Sequence, residues 1–399
     1  MRAFARFPAA KMSFAGLRWS SGRVRVPDVP RTAPRLASAG ALDVPALAVD
    51  NAGGLAHSGS IYLEAPAGTP PGVILAPLAD ARRHDPERVD AVHLRVIAPE
   101  TDRYTALATA FQNCGVYVDV PAGVSLEAPL QLLWLGAPGE PAAVFPHTVL
   151  RIGAHARVTV VERLLGGADA FVAGLVEAEL EPGARLDYVA VQEADDGARV
   201  FVRRRARCAA GAEVAWHLAD LGGAIVGAAC GAILAGPGAG AETNAFFFAR
   251  GFTRAAYAVD VDHDAARVAS RTTVRCAVTD RARGRFGGSL RFSPAAAGSV
   301  AAVRDDGLIL SRDARLTAAP VLAVPTRGVA ASQSSSIGSL DEDELFYVQS
   351  RGISRALAER MIALAFFEPA IARFPSDALR DEVRTALDER LDAVPDTFD

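Results

Sequence analysis

Gly183–Val214 reads GARLDYVAVQEADDGARVFVRRRARCAAGAEV. It opens on Gly183-Ala184-Arg185-Leu186 and ends on Gly211-Ala212-Glu213-Val214, the same small turn running into an apolar segment. Gly240-Ala241-Glu242-Thr243 repeats the pattern, and Asp313-Ala314-Arg315-Leu316 is a later variant. The first three recur at roughly 28–29 residues, within the range of stacked repeats. A strand-and-turn unit this small cannot bury its apolar face alone, but stacked copies build a continuous core. Short β-rich runs with few helical stretches extend from about 145 to 330. The spacing therefore predicts a mainly β fold with a solenoid core, and a β-sandwich is the alternative for so many short strands.

Outward from this stretch the pattern changes on both sides. Residues 1–60 are rich in Pro and Gly with weak periodicity, and read as a lead-in. The first 27 residues hold several Arg and no acid, as a transit peptide would, or a start misplaced upstream of Met12. Arg103 to Phe111 has helical spacing, with Leu107 and Phe111 four apart. Val116 to Val124 then alternates like a strand. Beyond Gly338 helices are expected. Ser339 can cap a first one whose opening turn holds Asp341, Glu342 and Asp343. Gly352 suits a left-handed C-cap. Ser354 can cap a second through Leu357, Met361 and Leu364, with Pro369 kinking or ending it. Ser376 can cap a third, striped by Leu379, Val383, Leu387 and Leu391.

The 399 residues are half apolar and 22% charged, with a net charge of −4, so nothing marks a nucleic-acid surface. No apolar run reaches the ~18 residues of a membrane span. The four cysteines, Cys114, Cys208, Cys230 and Cys276, form no C-x-x-C pair and read as small buried hydrophobes in a reducing compartment. Neither G-x-x-x-x-G-K-[ST] nor G-x-S-x-G occurs. Asp260-Val261-Asp262-His263-Asp264 puts three carboxylates on one face of a strand, which reads first as a solvated strand end and second as a hard-cation face.

Pro320 to Gly352, PVLAVPTRGVAASQSSSIGSLDEDELFYVQSRG, resembles the C-terminal signature of the SufB/SufD family of iron–sulfur cluster assembly scaffolds, and its SufD branch in particular. That signature runs P-x-L-E-I-x-x-D-D-V-x-C-S-H-G-A-T-x-G into a short acidic helix with L-F-Y-L-x-S-R-G. Pro320, Leu322, Val329, Ser332, Gly338, Leu345, Phe346, Tyr347, Ser350, Arg351 and Gly352 keep their places. Ala331 stands where the family has Cys, and Gln333 where it has His. Pro129-Leu130-Gln131-Leu132, Ala282 to Gly288, Leu308-Ile309-Leu310-Ser311 and His263 with Ser270 extend the resemblance. Between them the family's polar A-Q-K-T-D-A-x-Q is replaced by the small, apolar Ala296 to Val303.

The resemblance implies a right-handed parallel β-helix core at 113–337. It implies a diverged, partly helical N-terminal α/β region at 1–112 and a C-terminal helical domain at 338–399. It also implies a non-catalytic cytoplasmic scaffold with a SufB-like partner. A SufC-like ABC ATPase would dock on the last helices through Phe346, Tyr347, Arg351 and Gly352, with the Leu379/Val383/Leu387/Leu391 stripe contributing. Self-association through the β-helix is a further expectation. With Ala331 and Gln333 at the two ligand-capable positions, no cofactor or metal is expected on this chain alone, and a cluster only in the complex. His263 is expected as a structural hydrogen-bonding residue or at most a weak ligand. The alternatives are a diverged paralogue that keeps only ATPase binding or self-association, and a β-helix enzyme acting on carbohydrate, for which the Asp260–Asp264 stretch resembles calcium-dependent polysaccharide lyases.

Overall fold

The computed structural model describes residues 59–66, 69–136, 143–167, 170–324 and 327–392, plus short backbone strands at 13–14, 17–18 and 47–48. The rest of the lead-in, with Met12, lies outside the described residues.

The chain alternates between two sheets. One holds Leu130–Gly136, Arg157–Leu165, Arg185–Gln192, Glu213–Asp220, Gly240–Ala249, Ala269–Val278, Val300–Ile309 and Ala330–Ser339 in that order. The other holds Cys114–Val120, Pro146–Ile152, Phe171–Leu180, Arg199–Cys208, Ile225–Leu234, Arg254–His263, Arg283–Phe292 and Arg315–Ala323. Neighbours in both are parallel, so each coil lays one strand on each sheet. The register is continuous: Arg185 pairs with Glu213, Glu213 with Gly240, Gly240 with Ala269, Ala269 with Val300, and Val300 with Ala330. The solenoid expectation holds, with a parallel course throughout.

The corner before the first sheet explains the repeat. Gly183, Gly211 and Gly238 all have left-handed φ, between 64° and 74°. The N–H of Gly183 donates to the Ala210 carbonyl, that of Gly211 to Pro237, and that of Gly238 to Ala266. Each residue thus hydrogen-bonds the next coil, in a conformation that favours glycine. The following Ala184, Ala212 and Ala239 are buried, in a row that Val268 continues. This corrects two readings. The third repeat is Gly238-Ala239, two residues earlier than expected, because Gly240 already occupies the strand position paired with Glu213. Asp313-Ala314-Arg315-Leu316 belongs to the opposite corner, since Arg315 pairs with Arg283 in the second sheet.

Alternate residues fill the interior. Tyr188 and Trp216 tilt together with ring centroids 5.3 Å apart, and Phe247 stacks on Tyr257 at 5.8 Å. The outer face of the first sheet is also covered. Val161, Val189, Val191, Phe246 and Phe248 pack against Phe367, Phe374, Val383 and Leu387 from the C-terminal helices. These helices are α4 (Glu342–Gln349), α5 (Arg355–Ile371) and α6 (Asp377–Asp392). Arg163 clasps Glu382 of α6 through two hydrogen bonds of 2.5 and 2.6 Å, and Asn244 donates to the Ala370 carbonyl of α5 at 2.8 Å. The α6 stripe is therefore not a docking surface: Leu379, Val383, Leu387 and Leu391 are buried against the solenoid. Strand Ala330–Ser339 runs through Ser339, so the cap of α4 is Asp341, whose side chain accepts from Asp343 N and Glu344 N. Helix α5 starts from Ser354 as expected and continues through Pro369 to Ile371.

At the N-terminal end the parallel stacking stops. Gly59–Glu64 and Ile74–Pro77 pair antiparallel with the first strand of each sheet. Three short helices, α1 (Leu78–His84), α2 (Pro86–Asp90) and α3 (Arg103–Ala110), pack on the outer face of the second sheet. The buried Glu177 carboxylate fastens this block. It accepts from the N–H groups of Leu94 (2.5 Å), Val96 (3.2 Å) and Ile97 (3.3 Å), and lies 2.8 Å from His147 Nε2.

Candidate functional site

The two ends of the solenoid differ. Among the described residues no strand pairs with the outer edge of Ala330–Ser339 or of Arg315–Ala323. This last coil carries both signature positions. Ala331 pairs with Ala301 and Gln333 with Val303, so both lie at the open end of the barrel. Gln333 is exposed, while Ala331 is half-buried and packs on the core. Val321, Leu322, Val324 and Ile337 are exposed around them. An unpaired edge with an apolar rim is a template for pairing with another chain.

One coil inward the chemistry changes. Asp305 pairs with Ser335 and faces the interior, since its neighbours Arg304 and Asp306 pair with each other on the outer face. Asp305 is 4% exposed and neither of its carboxylate oxygens has a hydrogen-bond partner among the described residues. Desolvation, with a smaller push from Asp306, raises its carboxyl to about 7. Cys276 faces the same interior from the adjacent strand. Burial, reinforced by Asp305 and Asp306, lifts its thiol well above the ordinary range. Burial likewise pushes the Cys114 and Cys230 thiols up to about 12. Deeper in the barrel every buried acid is satisfied. Glu162 accepts from Trp134 Nε1 (3.0 Å) and Arg204 Nη2 (3.2 Å), and Asp220 accepts from Tyr257 OH (2.6 Å).

His263 sits in the other sheet with both ring nitrogens engaged. Nε2 is 2.8 Å from Ser270 Oγ and Nδ1 is 3.1 Å from the Arg291 carbonyl, and the ring stacks on Phe292 at 4.1 Å. Metal ligation would require breaking one of these bonds. The neighbouring carboxylates are also occupied: Asp262 pairs with Arg205 and Arg291, and Asp260 accepts from Ser289 Oγ at 2.7 Å. Asp264 is exposed just beyond the strand end, and among the described residues no group of three or more acids, His or Cys is placed to hold a metal ion, which removes the feature that pointed to a polysaccharide lyase.

The signature helix α4 presents a different surface. Leu345 is its buried anchor, while Phe346 and Tyr347 are 73% and 61% exposed. Arg351 lies over the Tyr347 ring at 5.3 Å, and Gly352 turns the chain with φ +85°. Leu357 and Met361 of α5 are also exposed. The structure therefore separates two surfaces, an open sheet edge with Ala331 and Gln333 and an aromatic patch on α4. Sequence reasoning missed Asp305 and Glu177, because the face a strand residue occupies follows from register, which no local motif reports.

Residues 135–366 match the family described as SUF system FeS cluster assembly, SufBD core domain, and residues 43–132 match the SufBD protein N-terminal region. Against the iron–sulfur cluster assembly protein SufD of Bacillus subtilis the chain is 24% identical over 325 residues, covering 80% of this chain and 74% of that protein. Against SufB of the same organism it is 23% identical over 286 residues, covering 71% of this chain and 61% of that protein. An iron–sulfur cluster assembly SufBD family protein of Mycobacterium tuberculosis is 27% identical over 305 residues, 74% of this chain and 76% of its own.

Proposed function

The chain belongs to the SufBD family of iron–sulfur cluster assembly proteins, and from that premise we propose that it is a SufD-like, non-catalytic scaffold subunit. Its unpaired last coil takes a SufB-like partner, edge to edge. Its α4 patch, Phe346 and Tyr347 with Arg351 and Gly352, docks a SufC-like ABC ATPase. The chain works in the cytoplasm; no helix among the described residues is long and apolar enough to cross a membrane.

The observation that carries this reading is the strand Ala330–Ser339, which bears the family signature and is left without an outer neighbour. A cluster is the cargo of the assembly. At the two signature positions a methyl group and a carboxamide replace a thiol and an imidazole, the usual cluster-ligating side chains. We therefore assign cluster retention to the complex and none to this chain alone.

A second reading, a paralogue that pairs only with itself, uses the same edge and is separated by the same experiment. A charge on an edge strand opposes edge pairing. Ile337→Lys combined with Leu322→Lys changes two exposed side chains and is expected to leave the fold intact. Pull-down with the SufB-like subunit should fall at least roughly tenfold, while ATPase capture persists. Undiminished capture of the SufB-like chain would refute the edge assignment. Wild-type chain that forms only homodimers would favour the second reading.

A further inference from the structure

We propose that a row of unpaired arginines on the outer face of the second sheet, Arg254, Arg283 and Arg315 with Arg285 beside them, docks an acidic helix of a partner protein. The surface is separate from the open edge and from the α4 patch, and it does not rest on the function proposed above.

Register builds the row. Arg254 pairs with Arg283 and Arg283 with Arg315, so the three stand on consecutive rungs at the start of their strands. Ala255 and Leu316 turn into the core, which puts the arginines on the outer face. Arg285 follows Arg283 by two residues on that face. All four are exposed. Like charges directly opposite each other in a sheet are destabilising.

Elsewhere on this face arginine is neutralised. Arg203 pairs with Asp102 at 2.6 Å, Arg207 with Glu179 at 3.7 Å, and both Arg205 and Arg291 with Asp262. Among the described residues Arg254, Arg283 and Arg285 have no ion pair, and Arg315 reaches only the carbonyls of Arg312 and Ala314. The acids of the adjoining corner are engaged. Asp313 faces Arg281 at 3.7 Å, Asp280 accepts from Gly251 N at 2.6 Å, and Asp196 pairs with Arg250 and Arg390. Concentrated positive charge is thus left without a counter-charge in a chain of net charge −4.

Spacing selects the ligand. Rungs of a sheet lie about 4.8 Å apart, so the second and third arginines stand about 4.8 and 9.6 Å from the first along the solenoid axis. Acids at positions i, i+3 and i+7 of an α-helix share one face, about 4.5 and 10.5 Å from the first along its axis. An extended strand presents side chains on one face about every 6.7 Å, and is out of step by the third charge. Guanidinium groups bind carboxylates through paired N–H donors. The sheet beside the row is low: Ala258, Gly287 and Ala319 pair in register two outward positions further along. A helix backbone can lie close there. The N-terminal helices cover the earlier coils of the same face, where Leu107 packs with Phe201, and the arginine row lies beyond them.

The probe is a fluorescent synthetic helix of about 20 residues, long enough to hold its fold, with Glu at i, i+3 and i+7 on one face. Titrated with the full-length chain, it should show saturable binding by anisotropy. Arg254→Gln with Arg283→Gln and Arg315→Gln should weaken that binding roughly tenfold or more. Arg271→Gln, an exposed arginine of the first sheet, should change nothing. The triple variant relieves repulsion, so it should melt no lower than the wild type. A peptide of the same composition with Glu spread around the helix, and a single-stranded oligonucleotide of the same charge, should both bind less tightly. No saturable binding, triple-variant affinity within about threefold of wild type, or an equal loss in Arg271→Gln would each overturn the surface. So would a triple variant that melts well below the wild type, since the row would then be structural. Equal binding of the spread peptide would remove the helix, and tighter binding of the oligonucleotide would make the row a nucleic-acid contact instead.

Discussion

Replacing Phe346 and Tyr347 together with Ala is expected to abolish ATPase capture while leaving the fold unchanged. Both rings project from α4 into solvent, and the helix is held by Leu345 instead. Exposed truncations of this kind shift stability by about 0.5 kcal/mol or less. In an interface the same rings would be anchors, each worth about 2 kcal/mol or more. Together they should weaken binding roughly a thousandfold. Titration calorimetry with the ATPase reads the loss, and an unchanged melting curve shows that the chain is intact. Affinity within about threefold of wild type would remove α4 from the interface. Deleting residues 339–399 is the poorer experiment, because it would strip Val383, Leu387, Phe367 and Phe374 from the first sheet and expose Phe246 and Val189 to water.

The second large effect lies at the N-terminal end. Glu177→Ala should destabilise the protein by about 3–5 kcal/mol, the range for breaking a buried charged network. The substitution strands the N–H groups of Leu94, Val96 and Ile97 and leaves His147 without its carboxylate. Leu94 holds a left-handed φ of 58° in this loop, a conformation that the Glu177 bonds help to fix. Glu177→Gln keeps the shape and loses the charge, so its cost should fall between wild type and Glu177→Ala. Denaturant unfolding measures the difference, and limited proteolysis should cut first within 78–111. A cost for Glu177→Ala below about 1 kcal/mol would show that the N-terminal block is held by packing alone.

The solenoid was legible because several of its corners carry glycine and alanine at fixed intervals, although His155 and Arg267 take the same left-handed position in other coils. Gly183-Ala184 and Gly211-Ala212 report one corner faithfully. Gly197-Ala198-Arg199-Val200, half a coil between them, marks the opposite corner, and the buried Ala198, Ala282 and Ala314 form its row. Reading that second series would have placed Asp313-Ala314 on the correct sheet and given both strands of each coil. The α6 stripe shows a different limit. Leu379, Val383, Leu387 and Leu391 say that one face is covered, but periodicity does not say by what. The answer came from Val161, Val189 and Phe246, far away in sequence. Asp341 rather than Ser339 caps α4 because the preceding strand runs two residues further than its composition suggests. At the open end, the signature located Ala331 and Gln333. That they lie on an unpaired edge follows from where the stacking of coils stops, and that Asp305 faces inward follows from register.

The partnership is read by native mass spectrometry of the full-length chain, affinity-purified from the cells that make it. One assembly containing this chain, a SufB-like subunit and a SufC-like ATPase is expected. Ile337→Lys with Leu322→Lys should lose only the SufB-like subunit, and Phe346→Ala with Tyr347→Ala only the ATPase. A wild-type chain recovered alone, or solely as a homo-oligomer, would contradict it.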